Sequence, residues 1–213
     1  MKQESVNFYT PAEEKINVLS HGSGLILSVT GLILLVVKAS LFGDVWHIVS
    51  FSIFGVSLCL LYCASTIYHY SRIPKIRKRL KIFDHASIYV LIAGTYTPIA
   101  LVTLHGTIGW ILFGVAWGSA LTGIVLKLFF TGKYNRLSTS MYLLMGWIVV
   151  LVAKPLINSL PANGMIWLIA GGIAYTIGAI LYSIPSIKFN HAVFNLFVLI
   201  GSFCHFMMIY FYV

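Results

Sequence analysis

The chain has 213 residues, of which 59% are hydrophobic and only 9% charged, with a formal net charge of +9. A soluble domain carries roughly 25% charged residues, and a soluble fold of this length has too little interior to hide so much apolar surface. The composition therefore excludes an ordinary soluble enzyme and makes the bilayer the solvent for most of the chain.

In chain order, residues 1–19 mix Lys2, Glu4, Glu13, Glu14 and Lys15 with polar side chains. They read as a short cytoplasmic segment without the basic-then-apolar pattern of a cleaved signal. A spanning helix needs about 20 mostly apolar residues. Stretches that meet this run near 20–40, 45–69, 83–104, 107–130, 139–159, 163–184 and 191–213. The connections hold most of the charge: the basic run Arg72–Lys81, the segment Gly132–Arg136 and the turn Ser186–Asn190, with His105–Gly106 and Pro161 marking two others. The expectation is an all-α membrane protein, one seven-helix domain over residues 20–213. Cys59, Cys63 and Cys204 lie inside apolar stretches, where an odd number argues against a disulfide framework.

Orientation follows from the cations. Seven spans put the N-terminus on the side of the second, fourth and sixth connections, and that side holds twelve of the fourteen Lys and Arg; Lys38 and Lys154 are the exceptions. By the positive-inside rule the N-terminus is cytoplasmic and the C-terminus extracellular, in the inner or plasma membrane. The net charge then marks topology and attraction to anionic lipids, with no nucleic-acid partner implied. Small residues recur one turn apart at Gly114 and Gly118 and at Ala170, Ala174 and Gly178. Such faces permit close packing, here expected chiefly within the bundle, with a homo-oligomer as the alternative.

Ionisable groups in hydrocarbon are costly and mark function by default. His21 opens the first span, His69 closes the second with Ser65 one turn deeper, Asp84 and His85 open the third, and His191 opens the seventh with Asn195 one turn deeper. All fall at the cytoplasmic end. His69, Asp84 and His191 are thus expected to meet, with imidazole nitrogens within about 5 Å, close enough to share a zinc ion. Spacing alone leaves a second reading open, in which polar residues gather at helix ends because water is near. His47 and His105 flank extracellular helix ends. His205 lies about 21 Å along the helix from His191, too far to share its site, and a hydrogen bond in the outer half is expected for it.

The segment from Glu13-Glu14 through Asn17 to His21, the pattern Ser65-Thr-Ile-Tyr-His69 followed by Asp84-His85, Gly94-Thr-Tyr-Thr-Pro98 and His191-Ala-Val-Phe-Asn195 resemble, in order, the motifs of the hemolysin III family, the bacterial branch of the progestin and adipoQ receptor family. The resemblance implies a seven-helix bundle with the N-terminus inside. It also implies zinc held by His69 and His191, with Asp84 linked to the metal through water and Ser65 as an orienting or oxyanion group. The family's second histidine of His-x-x-x-His is Asn195 here, a weak neutral ligand for zinc, so His21 is the possible substitute. The implied function is a zinc-dependent hydrolase of a lipid amide or ester, ceramide-like, at the cytoplasmic face, with Asp84 as general base. The alternatives are a pore-forming haemolysin, for which the sequence shows neither export signal nor water-soluble form, and a receptor-like regulator of membrane lipids with structural zinc.

Overall fold

The computed structural model describes residues 8–130, 135–184 and 186–213. Seven helices among them are long and apolar enough to cross a membrane. The first begins earlier than expected, as α1, Pro11–Phe42. Its start is local chemistry: the Thr10 hydroxyl accepts the Glu13 N–H at 3.3 Å, Pro11 takes the first helical position, and Glu13 and Glu14 complement the helix dipole. Glu14, Asn17, His21, Gly24, Ser28, Gly31 and Leu35 then recur every three or four residues and are all buried, forming one stripe. Its chemistry grades from charged to apolar along the helix.

α2 (Val45–Tyr70) starts on an Asp44–His47 capping box and lies antiparallel against α1. Gly24 and Gly31 let Tyr62 and Phe206 approach the α1 backbone. The basic run read as a loop is largely helix: α3 is Pro74–Pro98, its first turns carrying the cations. Proline at the first helical position makes that start legible. A π-helical turn, Ile99–Leu104, finishes the third span, and positive φ at His105 and Gly106 turns the chain into α4, Gly106–Phe130.

The fifth span is broken rather than continuous. α5 (Asn135–Gly146), a 3₁₀ segment (Ile148–Val152) and α6 (Ala153–Ser159) follow one another. The Tyr96 hydroxyl sits at the break, donating to Gly146 O at 2.7 Å and accepting the Val149 N–H at 3.1 Å. A side chain thus satisfies backbone groups that no water reaches in a bilayer. α7 (Ala162–Tyr182) and α8 (Asn190–Tyr212) close the bundle. The expected connection Gly132–Arg136 falls mostly outside the described residues, as does the segment before Phe8.

Apolar side chains face outward along every span, Leu144, Leu151 and Phe129 among them, because lipid is as apolar as the core. The small-residue faces divide. On α7, a Cβ at Gly178 would meet Phe197 of α8 at 2.8 Å, and one at Gly171 would strike the His205 ring. On α4, Gly114 and Gly118 have open space around them, so that face is not an internal contact, contrary to expectation. The three cysteines are free. The Leu168 carbonyl can only accept, so His205 donates to it from Nε2 at 3.2 Å.

Seven spans place the chain ends on opposite faces. A reporter fused after Val213 is expected to read as external and one inserted before Lys75 as cytoplasmic; agreement of the two would overturn the span count. Gly171→Ala is expected to cost about 1–3 kcal/mol through overpacking, seen as a lower thermal midpoint in detergent, with Gly114→Ala leaving it unchanged.

Candidate functional site

At the end of the bundle that carries the basic residues, the first contact to account for is that of Glu14. Its Oε2 accepts from His69 Nδ1 at 2.8 Å, and its other oxygen is ion-paired with the Arg77 guanidinium. Arg77 is 1% exposed. Its Nη1 donates to the carbonyls of Tyr68 (3.1 Å) and Ser71 (3.1 Å), so it also caps α2, whose last carbonyls have no helical partner. Its guanidinium carbon lies over the rings of Phe8 (4.6 Å) and Tyr68 (4.4 Å), where cation–π attraction adds to the ion pair. Three elements, α1, α2 and α3, are thereby tied through one carboxylate.

A carboxylate only accepts, so His69 Nδ1 carries the proton and Nε2 presents its lone pair. That nitrogen stands 2.9 Å from Nε2 of His191, well inside the separation expected from sequence. Beside the pair, Asn195 Nδ2 donates to Asn17 Oδ1 at 2.9 Å, while Asn195 Oδ1 is buried without a hydrogen-bond partner. The His21 ring is parallel to His69 with centroids 6.1 Å apart. A Glu13 carboxylate oxygen meets the backbone N–H groups of His191 and Ala192, stabilising the first turn of α8 and holding His191 in place.

Asp84 and Ser65 are hydrogen-bonded to one another and buried. Both line a cavity of about 460 Å³ whose wall also includes His21, His85, His191 and Asn195 at this end and Leu91, Leu168 and Val198 deeper in the bundle. His69 reaches the cavity only through His191. A volume of about 300–1,000 Å³ with an apolar lining and a few convergent polar groups is that of a small-molecule site. The other side of the histidine pair is covered by the start of the described chain. The Tyr9 ring stacks on His191 (4.7 Å, 15°), and the Tyr9 N–H donates to Glu14 at 3.1 Å. Burial raises the Tyr9 hydroxyl well above the usual phenol range, so it stays neutral, hydrogen-bonded to Tyr182.

His69 and His191 therefore meet, with His21 and Asn195 beside them, while Asp84 and Ser65 are joined to them only as residues of the same cavity wall as His21, His191 and Asn195. Three contributors were missed. Glu14 and Asn17 share the 14-17-21 spacing with His21, a signal of one helical face; Arg77 looked like any cation of its basic run. A ligating histidine is characteristically held by a carboxylate through its other nitrogen, and Glu14–His69 has that form. Among the described residues no three His, Cys, Asp or Glu side chains are grouped to hold an ion. The side chains that could take part in holding one are His69 and His191, with the Asn195 carbonyl oxygen as a weak third donor.

Comparison with known proteins places this geometry in a family. Residues 9–206 match the family model described as Haemolysin-III related. The chain is 45% identical over 201 residues to Hemolysin-3 of Bacillus cereus, covering 94% of this chain and 92% of that one. It is 46% identical over 204 residues to a Hemolysin-3 homolog of Bacillus subtilis (strain 168), covering 96% of each. A more distant likeness, 26% over 206 residues, reaches the human Monocyte to macrophage differentiation factor, covering 94% of this chain and 84% of that protein.

Arg77→Ala is expected to lower stability by about 3–5 kcal/mol, because it strands the buried Glu14 carboxylate. Joint replacement, Arg77→Met with Glu14→Gln, is expected to recover part of that loss. Thermal unfolding of the two variants checks this; equal losses would show that the pair is not coupled.

Proposed function

Because this chain belongs to the haemolysin III family and is a multi-pass membrane protein, we propose that its buried histidine cluster is the reaction centre of a zinc-dependent hydrolase acting on a lipid amide or ester at the cytoplasmic face. One observation carries the reading. Two imidazole nitrogens stand 2.9 Å apart, and one of the two rings, His191, lies on the wall of a mostly apolar cavity. Two lone pairs at that distance repel unless a proton or a cation lies between them.

His69 and His191 would hold the metal, with Asn195 Oδ1 as a weak oxygen donor. When bound, zinc would supply Lewis-acid polarisation of a carbonyl and acidify water. The chain's own groups do the rest. Glu14 keeps the proton on His69 Nδ1 and so keeps Nε2 available. Asp84, hydrogen-bonded to Ser65, accepts a proton from an attacking water and returns it to the departing amine or alcohol. The deeper wall, Leu91, Leu168 and Val198, takes an acyl chain out of water and places its carbonyl at the polar end. Tyr9, stacked on His191, excludes bulk water from the opposite side.

The names of the bacterial relatives suggest lysis as a second reading. Against it stands the placement of the polar groups: the histidine pair lies at one end of the bundle, where Tyr9 covers it, and the cavity wall is mostly apolar side chains. Dye release from liposomes is the direct check on lysis.

Metal content by mass spectrometry tests the centre. Asn195→His is expected to add a third imidazole, to raise zinc per chain and to raise the thermal midpoint in added zinc, since a ligand bound only by the folded state stabilises it. His69→Ala is expected to remove both gains. With zinc loaded, fatty-amide or ceramide-like substrates are expected to turn over, and Asp84→Asn to lower the rate by roughly 100-fold or more. Zinc content that neither substitution moves would sink the metal centre; full occupancy with no turnover would sink the hydrolase.

A further inference from the structure

The consecutive residues Glu13 and Glu14 open α1, and both are buried. Neighbouring side chains on a helix point about 100° apart, and α1 packs against both α2 and α8. Glu14 serves α2 through His69. Glu13 turns to α8, where its carboxylate meets the N–H groups of His191 and Ala192. α8 has no side-chain cap of its own: its N-cap residue, Phe189, has a left-handed backbone (φ 57°) and makes no capping bond. Glu13 Oε1 is nevertheless buried without a hydrogen-bond partner among the described residues, and so is His191 Nδ1. Two orphaned polar atoms thus belong to two residues that already touch. Buried groups are costly to leave unpaired, so their failure to pair has a cause.

The cause lies in the tautomers. Glu14 keeps the proton of His69 on Nδ1, so the His69 Nε2 lone pair faces His191 Nε2 at 2.9 Å. His191 meets it by carrying its own proton on Nε2, which leaves Nδ1 bare. A bare nitrogen and a carboxylate oxygen both accept, and neither can satisfy the other. We propose that Glu13 is the positioning residue of His191: when His191 Nε2 is engaged by a metal ion, the ring proton resides on Nδ1 and is donated to Glu13 Oε1. The imidazole stays neutral throughout, its one proton passing from Nε2 to Nδ1. Each histidine then has its own carboxylate, Glu14 for His69 and Glu13 for His191. A carboxylate in that position orients a ligating ring and raises its basicity. The inference rests on the metal-centre part of the proposed function and deepens it. The histidine pair has two states, one bridged by a proton and one by a metal ion, and Glu13 favours the second.

Glu13→Gln separates the two duties of this side chain. The glutamine oxygen can still accept from the first N–H groups of α8, but its amide nitrogen donates, and so suits the bare Nδ1 of the metal-free ring. Zinc affinity is measured on the full chain in detergent by competition with a chelator, beside thermal unfolding without metal. Glu13→Gln is expected to weaken zinc binding roughly 10–100-fold, the usual effect of losing such a carboxylate. A role confined to capping α8 predicts instead a lower metal-free midpoint with unchanged zinc affinity, and that result overturns the proposal while leaving the metal centre in place. Ring-nitrogen NMR of the histidine-labelled, unaltered chain needs no variant. His191 Nδ1 is expected to be unprotonated without zinc and protonated with it. An Nδ1 that stays bare in the zinc-loaded chain overturns the proposal even where Glu13→Gln fails to fold. No zinc uptake by the unaltered chain or by Asn195→His removes both this inference and the metal centre. Zinc binding that Glu13→Gln weakens, in a protein that hydrolyses nothing, leaves this inference standing and removes the hydrolase.

Discussion

Glu14 is a carboxylate buried at the basic end of the bundle, and the arrangement of that end depends on its being fully engaged. An unpaired charge in such a place is costly. Glu14 is engaged on both oxygens, by His69 and by Arg77. Each partner then has a second duty. Arg77 closes the end of α2, and His69, with its Nδ1 proton committed, turns a bare nitrogen toward His191. The same interaction therefore closes α2, ties α1, α2 and α3 together and sets which tautomer the histidine adopts. Stability and chemistry at this end rest on one interaction.

From that point the bundle divides along its length. Near Glu14 the buried groups are charged or amide: Asn17, His21, Asp84 and Asn195. Further in, small residues allow aromatic rings to fill the space, with Tyr62 against Gly24 and Tyr175 against Gly201. The Tyr62 and Tyr175 hydroxyls both meet Ser202 at 2.8 Å, so these mid-membrane hydroxyls are paired. The cavity connects the two zones. Its wall runs from mostly apolar side chains to imidazole and carboxylate groups, on which the proposed function rests.

Much of this was legible in the sequence. The seven spans follow from hydropathy, and the shared depth of His21, His69, Asp84 and His191 follows from counting residues along spans of alternating direction. Glu14 and Asn17 were legible too, since their spacing from His21 marks one helical face, and Thr10-Pro11 announces where that helix starts. Other features were not. Nothing in the basic run separates Arg77 from Arg79 or Lys78, because a cation's worth there depends on a carboxylate 63 residues away in sequence. The break in the fifth span has no proline at Gly146–Val152; it depends on a tyrosine of another helix. Gly114 and Gly118 have the spacing of a packing face and yet no neighbour, since spacing records a face without recording what lies opposite.

The sequence by itself determined that the chain spans a membrane seven times and that its ionisable residues gather at one end. Both are properties of composition and helical period, local quantities that need no partner. Only the tertiary structure decided which of those residues touch. It joined His69 to His191 and to Glu14, left the Asn195 carbonyl oxygen unpartnered, and put Lys127 on the wall of a cavity with Asp84. The physical reason is that hydropathy fixes how deep a residue lies in the bilayer, while the rotation and tilt of each helix are fixed by side chains on its neighbours, and those contacts join residues far apart in the chain.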